Sequence, residues 1–180
     1  MRFLTIYISL AACANLASAI NFLAPLQCLK MKDAAENIDV DRAIDMWTEI
    51  ACNRCQTKLS DYQSVLRDKF AVPWMETEAQ SMGTPELAPH YIALLDSLVD
   101  AAKNQCGATD ATNLCQDPSY IKSLAHCIQN NGWALTLRNL PTFLPILMSN
   151  PCAKQLDYLA NPDLLDTIIP GYLTKYVESC

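Results

Sequence analysis

Cys52 and Cys55 enclose two residues, the spacing of a redox dithiol. Such a motif works by holding one thiol as a low-pKa thiolate at a helix N-terminus, usually just after a strand. Here apolar residues recur at helical spacing on both sides of the pair, and no strand-like run precedes it. The two cysteines therefore read as structural half-cystines lying mid-helix. An i, i+3 spacing on a helix does not favour a bridge between them, so each is expected to reach a different element. His90 and His126 are the remaining candidates for metal or acid–base chemistry. Zinc would need ligands at paired short spacing that are spared from disulfides, and no His pair accompanies Cys52/Cys55. A Cys–His hydrolase would need a free thiol and a third residue to orient the base. The chain has 4 Gly and no Gly-x-Ser-x-Gly, His-Glu-x-x-His or phosphate-cradling loop. The acidic pairs Glu76/Glu78 and Asp163/Asp166 read as solvated helix faces or as partners of helix N-terminal dipoles. These readings predict a non-enzymatic protein with no metal and no cofactor.

The cysteines point instead to a crosslinked, exported chain. Met1-Arg2 is followed by an apolar run to Ala14 and then by Ala17-Ser18-Ala19, small residues where a signal peptidase reads. The run is about a dozen residues, short of the ~20 that cross a bilayer. Residues 1–19 are thus expected to be a signal peptide and 20–180 a single cysteine-rich domain. Cys13 leaves with the leader, and an even set remains: Cys28, Cys52, Cys55, Cys106, Cys115, Cys127, Cys152 and Cys180. In the oxidising secretory route they are expected to form four disulfides, with the pairing left open by spacing alone. Cys28 and Cys180 stand near the two ends of the mature chain, where a bridge from each would restrain termini that otherwise fray. A net charge of −6, with 13 basic against 19 acidic residues and no basic run, makes nucleic acid and anionic lipid poor partners. No later segment is expected to span a membrane.

The elements that hold these cysteines are predicted to be helices throughout: an all-α bundle of about five to seven helices. Apolar positions keep a 3.6 period from Val40 to Phe70, starting after a cap at Asp39 or Asp41 and ending at Pro73. A helix over 89–105 carries Tyr91, Leu94/Leu95, Leu98/Val99 and Ala102 on one face. Asp117-Pro118, Asn150-Pro151 and Asn161-Pro162 each place a capping side chain before a proline at the first helical position. They predict helices over 118–130, 151–160 and 162–178. Asn131-Gly132 should close the first, and Pro170-Gly171 should break or kink the last. The irregular stretch 71–85 reads as a mobile loop or as a short helix packed over the core, with Trp74, Met75, Glu76 and Glu78 as a candidate interaction surface. The apolar surplus in 133–148 and 164–177 is more than one helix face needs. It serves either as core or as the lining of a lipid or sterol cavity, with Trp133, Leu137, Phe143, Leu147, Ile168 and Tyr172 as candidate lining residues.

Two local resemblances bear on function. The segment from Cys115 through Asp117-Pro118 and Tyr120 to Cys127-Ile128 resembles a cysteine-containing helix in the extracellular region of fungal ferric reductases. It departs from that pattern at Gln129-Asn130-Asn131-Gly132, where the family has a further Cys. No haem or flavin segment follows, so reductase activity does not carry over. The segment Tyr91 to Cys106, with Asn150-Pro151-Cys152 and a C-terminal Cys180, resembles oomycete elicitins, which are secreted all-α sterol carriers that provoke plant defence. The cysteine spacing differs from theirs. Insect odorant-binding proteins share the helical, secreted, disulfide-bonded character, but their central cysteine pair has one more intervening residue than Cys52/Cys55 has. Together these resemblances imply a secreted, effector-like or surface-interaction protein with an extracellular protein or host surface as partner. The alternative is a carrier of a sterol, fatty acid or other apolar ligand.

Overall fold

A computed structural model describes residue 30 and residues 33–138, 140–148, 152–178 and 180. The leader read over residues 1–19 and Cys28 lie outside the described residues, as do the side chains of Trp133, Leu137, Leu147 and Cys152.

Among the described residues the chain is all-α, with one isolated antiparallel bridge between Lys58 and Asn113 and no strand. Helix α1 (Val40–Met46) starts at Asp39, whose carboxylate accepts the Arg42 backbone N–H at 2.9 Å. It passes directly into a wider π-type turn, Trp47–Ala51. A 3-10 turn at Leu59–Asp61 leads into α2 (Tyr62–Ala71), which is π-helical along its length and continues into α3 (Val72–Ser81). Then follow α4 (Ala88–Gln105), α5 (Pro118–Arg138), α6 (Leu140–Met148) and α7 (Cys152–Leu159). A π turn at Leu164–Ile168 opens into α8 (Ile169–Glu178). Asp117 caps α5 as expected, accepting from Tyr120 N at 3.1 Å, and Asn161 accepts from Asp163 N at 2.9 Å.

Three predicted breaks are not breaks. Pro73 does not end the first helical run but sits in the first turn of α3. Pro170 likewise occupies the first turn of α8 without stopping it. A proline in a helix clashes with the carbonyl four residues back and offers it no N–H. In both places the preceding turns are π-helical, with the next backbone N–H reaching five residues back, from Val72 to Arg67 and from Ile169 to Leu164. The wider coil moves that carbonyl out of register with the proline ring. Asn131-Gly132 also lies inside α5, where the Asn131 amide donates to the Cys127 carbonyl at 2.8 Å and so works within the helix instead of closing it.

The described disulfides are Cys52–Cys115, Cys55–Cys180 and Cys106–Cys127. Cys52 and Cys55 do reach different elements, although they follow the π turn and do not sit mid-helix. Cys180 restrains the C-terminus as predicted. Helix α4 is the central strut, packed against α3, α5 and α6, while α1 lies on α5 and α8 lies on the Trp47–Ala51 turn and α2. The core has two centres. One gathers Leu59, Tyr62, Ala102, Ala108 and Leu124; the other gathers Ala51, Cys55, Tyr176 and Val177. In the second, the buried Tyr176 hydroxyl shares a 2.7 Å hydrogen bond with that of Thr57. The Tyr176 ring lies 5.7 Å from Trp47 and 5.6 Å from Phe70.

Candidate functional site

Between these two centres the helices leave a cavity of about 360 Å³. Its walls come from the amphipathic stripes that the sequence displays. Ile44 and Trp47 project from α1 and its π turn, and Tyr62, Leu66 and Phe70 from α2. Trp74 joins the lining from α3. Leu95, Leu98, Val99 and Ala102 form the α4 wall, and Ile121, Leu124, Ala125 and Ile128 the α5 wall. Leu59 and Leu114 complete the lining from the two connecting segments. Every one of these residues is aliphatic or aromatic, so the surface offered to a guest is almost wholly hydrocarbon.

The few polar atoms on these side chains are largely engaged elsewhere. The Trp47 indole N–H donates to the Leu114 carbonyl at 3.1 Å. The Tyr62 hydroxyl donates to the Asp96 carboxylate at 2.7 Å. Burial, and then the Asp96 hydrogen bond and charge, push the Tyr62 phenol well above its ordinary value, so it stays protonated. Arg67 donates from Nε to Asp96 at 3.0 Å and from Nη1 to Asp68 at 3.0 Å. Those two carboxylates, Asp96 first, hold the guanidinium firmly in its charged form. The indole N–H of Trp74 is buried beside the Tyr158 hydroxyl, which burial keeps protonated. The lining is therefore almost wholly hydrocarbon, and its Tyr62 hydroxyl is held by the Asp96 carboxylate that also pairs with Arg67.

The described candidate residues lie on α3, on α6, and on the π turn and helix at 164–178. The stretch around Trp74 takes the second of the two forms considered for it, a helix packed on the core. Trp74 faces inward, 5.6 Å from the Phe70 ring and 5.7 Å from that of Tyr172. Met75 and Glu78 are half-buried, and only Glu76 is exposed. Glu78 accepts a hydrogen bond from the Tyr172 hydroxyl at 2.9 Å, so it is not a solvated face. Of the residues expected to line a ligand cavity, Phe143 is 2% exposed within the core, Ile168 is half-buried, and Tyr172 is turned toward Glu78 and Trp74. These three stand outside the lining of the 360 Å³ cavity. His90 Nδ1 lies 3.1 Å from the Thr142 carbonyl, and His126 Nε2 lies 3.2 Å from Asp41 Oδ1. Among the described residues no three His, Cys, Asp or Glu side chains gather as metal ligands. No described helix is long and apolar enough to cross a membrane.

Sequence reasoning misses this cavity because its signal is spread over several elements. The α4 face is visible at Leu95, Leu98, Val99 and Ala102, but a buried face and a cavity wall have the same period. Comparison with known proteins adds no constraint: no protein family, curated protein or solved structure matches this chain.

Proposed function

We propose that the protein is an extracellular carrier of a small apolar ligand held between α1, α2, α4 and α5. The observation that carries this reading is the 360 Å³ cavity with its hydrocarbon lining. Its volume falls in the lower part of the range for small-molecule sites, about 300–1,000 Å³. Three disulfides, mostly in the segments that connect these helices, fit an exported chain. The surface-interaction reading built on Trp74 loses its aromatic anchor, because that ring is part of the cavity wall. The carrier reading is non-enzymatic, since the lining supplies solvation and shape.

A guest that fills this volume has about a dozen heavy atoms, taking roughly 30 Å³ for each small group. At about 0.6 kcal/mol per atom, between the usual bounds, it would bind with a Kd on the order of 10 µM. The test is titration with N-phenylnaphthylamine, followed by probe emission, by quenching of Trp47 and Trp74, and by native mass spectrometry. Saturable one-to-one uptake is expected. Ala125→Trp, which fills the cavity from α5, should abolish that uptake while leaving the helical circular-dichroism spectrum intact. Absence of uptake by the oxidised protein, or equal uptake by the folded variant, would refute the reading.

A further inference from the structure

We infer that the guest carries a hydrogen-bond-accepting oxygen, as in a ketone, ester or ether, which takes the indole N–H of Trp74; this rests on the carrier reading above. Among the described lining residues only Trp47, Tyr62 and Trp74 carry a side-chain donor. Two of the three are spent within the protein. The Trp47 N–H is given to the Leu114 carbonyl at 3.1 Å, and the Tyr62 hydroxyl to the Asp96 carboxylate at 2.7 Å. The Trp74 N–H is buried and makes no hydrogen bond. An indole nitrogen donates and does not accept, so its complement is an acceptor. A buried donor without a partner is costly, and an acceptor that enters with the guest recovers that cost.

The groups around the N–H point the same way. The Trp74 ring lies 5.6 Å from that of Phe70 and 5.7 Å from that of Tyr172. Tyr172 spends its hydroxyl on Glu78 Oε1 at 2.9 Å. The Tyr158 hydroxyl lies beside the Trp74 N–H and is likewise buried without a hydrogen bond. Two uncommitted donors thus stand together, and one oxygen with two lone pairs can accept from both. Tyr158 is outside the lining, so it serves as the second donor behind Trp74. Because the N–H itself is covered, the ring has to turn slightly as the oxygen arrives. A plain hydrocarbon of the same shape leaves both donors unpaired.

The experiment compares two guests of one shape, benzylacetone and isopentylbenzene, in which a methyl group replaces the carbonyl oxygen. Each displaces N-phenylnaphthylamine from the oxidised protein and from Trp74→Phe, which keeps an aromatic ring and removes the N–H. The substitution is expected to weaken benzylacetone by roughly fivefold to tenfold and isopentylbenzene by less than about twofold. The infrared carbonyl stretch of bound benzylacetone should lie below its position in hexane and return toward that position in the variant. Equal weakening of both guests, or a stretch at the hexane position in the unsubstituted protein, overturns the inference and leaves the carrier reading standing. If Trp74→Phe loses its helical circular-dichroism spectrum, Tyr158→Phe carries the same comparison. There the ketone should weaken by at least about threefold with the hydrocarbon unchanged, and equal effects overturn the inference. No probe uptake at all removes both readings.

Discussion

Removing the Cys55–Cys180 bridge, as the Cys55→Ala/Cys180→Ala double variant, tests how the cavity is held. The bridge spans 125 residues of sequence. Taken alone, a loop of that length is worth about 4.9 kcal/mol on the chain-entropy account. The Cys52–Cys115 bridge shortens the effective loop, because a path runs from Cys55 back to Cys52, across that bridge, and on from Cys115 to Cys180. That path is about 68 residues, and the expected loss falls to about 4.4 kcal/mol. For a chain of this size the midpoint of thermal unfolding should drop by about 9–18 °C. The Cys106–Cys127 bridge closes only 21 residues, so its removal should cost about 3.3 kcal/mol and shift the midpoint less. Differential scanning calorimetry on the oxidised variants measures both. The Cys55–Cys180 variant should also bind N-phenylnaphthylamine more weakly, because Tyr176, four residues before Cys180, backs Trp47 and Phe70 of the cavity wall. A larger loss from the short loop than from the long one would refute the loop-length reasoning. Unchanged probe affinity would show that α8 does not brace the cavity.

Two further perturbations act away from the bridges. Burial raises the phenol pKa of Tyr62, Tyr91, Tyr158, Tyr172 and Tyr176, so the unfolded chain releases those protons first. Their contribution is fully present below about pH 10 and is lost as pH rises above it, by about 1.4 kcal/mol per pH unit for each tyrosine ionised only in the unfolded state. Denaturant titrations at a series of alkaline pH values, with tyrosinate absorbance as the proton count, should show this decline, and a flat profile would contradict the burial of these rings. Two glycines should respond in opposite directions. Gly83 has a φ of +73°, so Gly83→Ala should cost about 1–2 kcal/mol, whereas Gly132 lies within α5 with open space at its Cβ position, so Gly132→Ala should stabilise by about 0.5–1 kcal/mol in chemical denaturation.

Helix identity is legible wherever a 3.6 period meets a capping side chain. The face from Tyr91 to Ala102 and the Asp117-Pro118 start both stand where periodicity and capping place them. Boundaries fail at Pro73, Pro170 and Asn131-Gly132 for a common reason. A breaker residue acts on the geometry of the preceding turn, and that geometry is set by tertiary packing that local sequence does not encode. Disulfide partners are legible only as a negative, that Cys52 and Cys55 separate, because pairing depends on which loops meet in space. The candidate site is the least legible part. Leu59 and Leu114 lie far apart in sequence and carry no local mark of sharing a wall. In the richest apolar segment, 133–148, the described side chains of Phe143 and Ile146 are buried elsewhere in the core.

The bridges and the cavity make sense as one device. Segments 52–61 and 106–117 are tied together by Cys52–Cys115, and Cys106–Cys127 fastens the second of them to α5. They are also zipped by backbone hydrogen bonds of 2.9 Å from Leu59 to Thr112, from Ser60 to Asp110 and from Leu114 to Thr57. Helices α2, α4 and α5 all start or end at this zipped corner, so their separation there is set by covalent and main-chain bonds and not by how well side chains fill the space. On the carrier reading proposed above, an apolar guest would occupy the space between these helices. On this account the crosslinked corner keeps the helices apart during the interval when no guest is bound.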